Sequence, residues 1–152
     1  MGEIILSWAS LIGPWFLLIF LDSTKIRRFL SVAFFVLMLN TIHFQMAEVY
    51  NWWTVTNNVF FLTNISSFTY GYLPVTTILI FYFTFPNPWL FFGLNIILDA
   101  FQAFVISPLV FEKFALYELD NMTNFELFLL IISLIPIIYI YQKWYEKRIV
   151  NY

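Results

Sequence analysis

The chain has 152 residues, of which 62% are hydrophobic and only 11% are charged, and it contains no cysteine. An ordinary soluble domain carries about 25% charged residues, and a soluble fold of this length cannot bury so much apolar surface. We therefore expect an integral membrane protein. The net charge of −2 gives no reason to expect a nucleic-acid partner. The lack of cysteine excludes disulfides, thiolate metal sites and cysteine nucleophiles.

Five segments of the sequence are apolar enough to cross a membrane, since a spanning helix needs about 20 mainly apolar residues. Gly13-Pro14 falls in the middle of the first segment, and Pro74 and Pro136 fall inside the third and fifth, so we expect bends there. Residues 54–68 leave three alternatives open: an interfacial segment, a re-entrant segment, or the first turns of the third span. The predicted single transmembrane domain, residues 1–152, has spans at about 4–21, 29–47, 59–85, 89–110 and 126–142.

The basic residues predict the orientation of the chain. Lys113 is set apart from the other six, which follow the first and the fifth spans: Lys25, Arg27, Arg28, Lys143, Lys147 and Arg148. With five spans those two segments lie on one side of the membrane, and the positive-inside rule makes that side cytoplasmic. The sequence therefore predicts an all-α integral membrane protein. We expect a bundle of about five transmembrane helices, with the N-terminus outside and the C-terminus cytoplasmic.

Three polar residues of the fourth span share one face of the predicted helix. Asn95, Asp99 and Gln102 are spaced i, i+4 and i+7. A carboxyl group that faces lipid at this depth is costly, so Asp99 is expected to face the bundle interior, a wet cavity or a partner. The stripe is open to three interpretations: an interhelical hydrogen-bonded clasp, a contact for a proton, cation or substrate, or an oligomer contact.

Two neighbouring spans carry polar side chains that could meet this stripe. Asn40 and His43 lie close together on the second span, and Thr69, Tyr72 and Thr76 share a face of the third. The histidine is open to a structural hydrogen-bonded role, a proton-accepting role or a metal contact, and the hydroxyl groups to backbone bonding or to lining a cavity. The predicted intramembrane polar site comprises Asn40, His43, Thr69, Tyr72, Thr76, Asn95, Asp99 and Gln102.

The sequence lacks the common catalytic motifs, among them a Walker loop, GxSxG and HExxH. With one histidine and no cysteine, most acid–base and nucleophilic schemes lack the necessary groups. A lone histidine also cannot form a three-ligand zinc site unless carboxylates complete it. We therefore expect no enzyme activity, no metal site and no cofactor.

One part of the chain carries a recognisable layout. "SSFTYGYLPVTTILIFYFTFPNP", then Asp99, then "YQKWYEKR" resembles an uncharacterised family of small multi-spanning membrane proteins of spore-forming Firmicutes, over residues 57–148. In that family a Phe-rich helix with an internal proline precedes a proline-marked turn, and a helix with a buried acid follows. The family often has Glu where this chain has Asp99. The resemblance implies a multi-pass protein of the bacterial cytoplasmic membrane and no particular activity.

Two functions from different classes remain. The first is a non-catalytic membrane subunit or accessory protein that binds another membrane protein, a second copy or lipid through its aromatic surface. The second is a small transporter or channel component with a polar pocket around Asp99. Short chain length favours the first, because five helices leave little room for alternating access without self-association. A wet cavity that reaches Asp99 would favour the second, and a dry clasp the first.

Overall fold

The computed structural model describes residues 2–114 and 116–149, and these are helical almost throughout. A 3₁₀ segment continues the first α-helix, a π-helical segment continues the fourth, and two short strands lie in the connections. The elements are, in chain order, α1 (Gly2–Ile12), the 3₁₀ segment (Gly13–Phe20), α2 (Ser23–Tyr50), β1 (Trp53–Val55), α3 (Phe68–Thr84), α4 (Pro88–Phe101), the π segment (Gln102–Glu112), β2 (Tyr117–Leu119) and α5 (Asn124–Ile149).

Three helical stretches within the described residues are long and apolar enough to cross a membrane. They are α2, α4 together with the π segment, and α5, and they contain the second, fourth and fifth predicted spans. Two further apolar helical stretches, Ile4–Phe20 and Phe68–Thr84, are shorter. The chain is thus a nearly all-helical protein with three candidate membrane-spanning helices, in agreement with the class predicted from its composition.

Polar residues set the ends of the long helices. The carboxylate of Asp22 accepts two backbone N–H groups of the first turn and so caps α2. Asn51 ends that helix in the left-handed conformation, with φ 51°. Asn87 caps α4, and Pro88 occupies its first turn, where a missing N–H costs no helical hydrogen bond. Because hydropathy ignores such caps, α2 is longer at both ends than the predicted span.

The predicted third span is wrong in its first part. Residues 56–67 form turns and irregular backbone, and α3 begins at Phe68. The side chain of Asn58 donates to the carbonyl of Ile65 at 2.6 Å and accepts from the N–H of Val59 at 3.0 Å. Such side-chain bonds satisfy the backbone without a helix. Of the three alternatives for residues 54–68, the first turns of a long helix are therefore excluded.

The three prolines predicted to bend helices differ in their effect. At Gly13-Pro14 the backbone changes from an α-helix to a 3₁₀ helix, because a proline ring crowds the preceding α-helical turn. Pro74 and Pro136 lie inside α3 and α5, which continue on either side of them. Only the first position therefore interrupts its α-helix.

Opposite ends of the bundle are fastened in different ways. At one end β1 pairs antiparallel with β2, with Trp53 opposite Leu119. At the other end Arg28, near the start of α2, contacts Glu146, near the end of α5. The start of α2 thus lies beside the end of α5. We call these two ends the sheet end and the basic end.

The buried residues form two apolar cores, one towards each end. The core of the basic end is rich in aromatic rings, and the core of the sheet end includes residues from both strands and the π segment. The first contains Phe29, Val32, Ala33, Val36, Ile78, Ile80, Phe81, Phe85, Phe91, Ile135, Ile138 and Tyr139. The second contains Phe44, Ala47, Trp53, Phe68, Ala103, Phe111, Leu116, Tyr117 and Leu127. Between them, α2, α3 and α4 carry a layer of polar side chains.

Candidate functional site

A cavity occupies the polar layer between the two cores. The space that the centre of a water molecule can reach is about 70 Å³. One water molecule needs about 10–15 Å³ by this measure, so the cavity has room for several. Its polar lining comes from α2, α3, α4 and the first residue of the π segment: Asn40, Tyr72, Thr76, Thr77, Asn95, Asp99 and Gln102. We call it the aspartate cavity.

The structure brings together most of the residues that the sequence predicted for an intramembrane polar site. Six of the eight line the aspartate cavity: Asn40, Tyr72, Thr76, Asn95, Asp99 and Gln102. His43 lines an adjoining cavity instead. Thr69 is fully buried and its hydroxyl has no hydrogen-bond partner among the described residues. Thr69 lines neither of these two cavities.

Hydrogen bonds around the cavity stay within single helices. The amide nitrogen of Asn95 donates to the carbonyl of Phe91 at 2.7 Å, one turn earlier in α4. Thr77 likewise donates to the carbonyl of Leu73 at 2.8 Å in α3. Among the described residues, no hydrogen bond links Asn95, Asp99 or Gln102 to another helix. The stripe on α4 is therefore not an interhelical hydrogen-bonded clasp.

The carboxyl group of Asp99 has no basic counter-charge in the cavity. No Lys or Arg side chain of the described part of the chain lines it. Buried polar groups normally find a partner in protein or in ordered water, and a carboxyl group can accept hydrogen bonds or a positive charge. The lining therefore suits a proton, a small cation or a small polar molecule.

A second, smaller cavity adjoins the first on the side of the sheet end. It offers about 60 Å³ to water centres, and we call it the histidine cavity. Asn40 and Gln102 line both cavities, while His43 and Tyr117 line only the histidine cavity of the two. The Tyr117 hydroxyl donates to Ser107 at 2.8 Å, and burial raises the pKa of Tyr117 to about 12.

Some lining residues and one backbone feature are absent from the sequence prediction. Trp53 and Tyr117 reach the histidine cavity through the pairing of β1 with β2, and strands of three residues leave no periodic signal in a sequence. Gln102 begins the π segment, a type of backbone that is rare and often occurs at functional sites. Pro108, inside that segment, is the available sequence signal of an irregular helix.

Within the described residues, no group of three or more His, Asp or Glu side chains is placed to hold a metal ion. The candidate site is thus defined by amide, hydroxyl, imidazole and carboxyl groups around water-sized cavities. Comparisons of the chain with protein-family models, with curated proteins and with solved structures find no match.

Proposed function

We propose that this chain is a small component of a membrane transporter or channel, and that it binds a small cation in the aspartate cavity. One observation carries the proposal. Within the described residues, Asp99 lines a cavity of about 70 Å³ together with other polar side chains, and it has neither a hydrogen bond to another helix nor a basic counter-charge. A carboxyl group inside a membrane helix is costly, so such groups mark ion and substrate sites by default.

We also propose that the chain crosses the membrane five times. Contacts between the first helical stretch and α3 support this arrangement. The Ser10 hydroxyl bonds to that of Ser67 at 3.0 Å, and the Trp15 indole donates to the carbonyl of Tyr70 at 3.2 Å. The earlier residue of one segment contacts the earlier residue of the other, and the later residue contacts the later one, so the two segments run parallel. The helix that follows the first segment, α2, therefore runs in the opposite direction. Both segments are short for a bilayer, and local thinning or flanking residues can accommodate a short span.

The proposed orientation places the sheet end outside and the basic end in the cytoplasm, because most basic residues lie near the start of α2 and the end of α5. Reporter fusions test it. A reporter within residues 111–125 should read outside, and one after the last residue should read cytoplasmic. A cytoplasmic reading for residues 111–125, or both termini on one side, contradicts the five-span topology.

Thermal unfolding of the purified protein tests the binding site. A ligand that binds the folded state raises the melting temperature. We choose sodium, potassium and ammonium chlorides as probes, and choline chloride, whose cation is much bulkier, as the control for ionic strength. At least one probe should stabilise the wild type and should fail to stabilise Asp99→Asn. Equal stabilisation of both proteins, or no stabilisation by any probe, contradicts the proposal. Ser133→Ala, at an exposed position of α5, is the matched control variant.

We further propose that the protein is non-catalytic and resides in a bacterial cytoplasmic membrane, within the Firmicutes family that its layout resembles. The lone histidine, the lack of cysteine and the layout of residues 57–148 support this assignment. We expect no nucleic-acid partner.

A second candidate function is that of an accessory subunit that binds another membrane helix. Gln45 is exposed on the outer face of α2 and lines a shallow groove of about 360 Å³ with Thr41, Ile42, Met46, Val49 and Tyr50. An amide that faces lipid is unfavourable, and a partner helix could satisfy its hydrogen bonds.

Oxidation of Ile42→Cys in native membranes tests self-association, because the chain has no other thiol. A disulfide dimer supports a second copy as the partner. A monomer together with no partner after mild-detergent purification contradicts this role.

A further inference from the structure

We infer that protons and small cations reach Asp99 from the sheet end and not from the basic end, through three adjoining cavities with an aromatic gate formed by Phe44 and Trp53. This route serves the ligand site proposed above and therefore rests on that proposed function. It adds to that function the side of the membrane from which the ligand enters and the positive charge of the ligand.

The route begins at the surface of the sheet end. The outer cavity there offers about 320 Å³ to water centres, and its lining includes the exposed residues Glu48, Asn51, Thr54 and Thr63. The side chain of Asn64 donates a hydrogen bond to the Glu48 carboxylate at its wall. Because this lining is polar and exposed, water and dissolved ions can enter the outer cavity.

The three cavities lie in series, and neighbouring cavities share lining residues. Phe44 and Trp53 line both the outer cavity and the histidine cavity. Their rings meet edge to face, with centroids 5.4 Å apart, and both are buried. Asn40 and Gln102, with three aliphatic side chains, line both the histidine cavity and the aspartate cavity. The outer step is therefore closed by two rings, and the inner step is bordered by two amides that can bond to water on either side.

Beyond the aspartate cavity, the core of the basic end closes the route. Phe81 and Phe91 lie with ring centroids 4.7 Å apart, and Phe91 and Tyr139 with centroids 4.9 Å apart. Phe29 packs against Phe81 at 5.6 Å. All four residues are buried. An ion that enters such a dry aromatic layer must give up its hydrating water, which is unfavourable.

The groups along the route select for positive charge. Its titratable side chains are Glu48, His43, Tyr117, Tyr72 and Asp99, contributed by α2, β2, α3 and α4. No Lys or Arg of the described residues lines any of the three cavities. The carboxyl groups at both ends of the route attract cations and repel anions when they are ionised. The inner volumes of about 60 and 70 Å³ suit a proton or a small cation with a few water molecules.

Single cysteines in this cysteine-free chain test the route with the silver ion, a small cation that binds thiols tightly. Thr76→Cys reports on the aspartate cavity, which is the only one of the three cavities that Thr76 lines, and Val32→Cys reports on the aromatic core. Glu118→Cys marks the sheet end and Arg148→Cys the basic end. Silver is added in chloride-free buffer to membrane vesicles of either orientation, and the thiols left free are labelled with a fluorescent maleimide after denaturation. The readout is the rate at which each thiol becomes blocked.

Silver on the sheet-end side should block Thr76→Cys at least about tenfold faster than silver on the basic side, because an ion that crosses the aromatic core must give up its hydrating water. Val32→Cys should stay free from both sides. Trp53→Ala should speed the blocking of Thr76→Cys, whereas Trp53→Phe should leave it unchanged.

Equal rates from both sides, or no blocking from the sheet-end side while Glu118→Cys reacts, overturns the one-sided route. An unchanged rate in Trp53→Ala overturns the gate. The thermal-unfolding test is independent of these rates. One-sided access with no stabilising ligand refutes only the proposed binding function, and a stabilising ligand with no silver access refutes only the route.

Discussion

A β-carbon added to Gly71 of α3 would overlap the carbonyl oxygen of Ser10 in α1, much closer than any allowed contact. The two helices therefore meet backbone to backbone at this position. The hydroxyl pair of Ser10 and Ser67 lies one turn away along α3. Small residues that permit such close approach, with hydroxyl groups that bond across the interface, are typical of helix pairs in membranes.

Gly71→Ala should displace α1 from α3. We expect a loss of about 1–3 kcal/mol in the free energy of unfolding, because a methyl group is forced against backbone atoms that cannot move independently. Disulfide formation measures the displacement directly. The double variant Ser10→Cys/Ser67→Cys should cross-link readily on oxidation, and adding Gly71→Ala should reduce the yield.

Gly93→Ala is the matched control, since an added β-carbon there meets nothing within 4 Å. It should leave cross-linking unchanged and, because alanine favours helix, should raise stability by up to about 1 kcal/mol. Full cross-linking in the Gly71→Ala background would show that α1 accommodates the methyl group and would contradict the close packing.

Much of the helical framework was predictable, because a lipid-facing helix must present a long apolar run. That requirement located α2, α4 with the π segment, and α5. The stripe of Asn95, Asp99 and Gln102 followed from helical periodicity, and the cost of polar groups in lipid predicted that it points inward. Those two principles were sufficient to place all three residues on one cavity.

The remaining features depend on contacts that a hydropathy pattern cannot carry. The pairing of β1 with β2 joins distant parts of the sequence, and the turns before α3 depend on side-chain bonds of Asn58. Thr69 shares a helix face with Thr76 but lies seven residues earlier, about 10 Å along the axis. That distance puts it beyond the small cavity that Thr76 lines. Periodicity predicts the face of a helix and not the depth at which a cavity lies.

Arg28 and Glu146 should stabilise the basic end only modestly. Arg28 donates from Nε to Oε1 at 2.5 Å and from Nη2 to Oε2 at 2.9 Å, which is a two-pronged geometry. The arginine side chain is 50% exposed, however, so solvent screens the pair. A double-mutant cycle with Arg28→Gln and Glu146→Gln should give a coupling energy of about 0.5–1 kcal/mol.

The same coupling should fall as salt is raised, since exposed charges are screened by ions. Unfolding of the four proteins in the cycle at low and high salt measures it. A coupling that is independent of salt would contradict the screened pair.

Asp99→Leu distinguishes an open polar cavity from a clasp. Because Asp99 has no hydrogen bond to another helix among the described residues, leucine removes no such bond and fills part of the cavity. We expect Asp99→Leu to be at least as stable as the wild type in unfolding measurements. We expect Asp99→Asn to be as stable as the wild type. A loss of about 1 kcal/mol or more in Asp99→Leu, the size of an interhelical hydrogen bond in a membrane, with Asp99→Asn unchanged, would restore the clasp interpretation.

Tyr117 should make the fold sensitive to alkali. Burial raises the pKa of its phenol from 10.0 to about 12, against the smaller opposing effect of the hydrogen bond with Ser107. A group with a raised pKa in the folded state contributes stability that is present below the pKa of the unfolded chain and is lost as the pH rises through the folded pKa. Between pH 10 and 12 the wild type should therefore lose stability relative to Tyr117→Phe, by an amount approaching about 2–3 kcal/mol.

Denaturant unfolding at a series of pH values measures the difference, with Tyr50→Phe as the control because Tyr50 is exposed. If the wild type and Tyr117→Phe lose stability in parallel over this range, the buried phenol does not titrate with the fold.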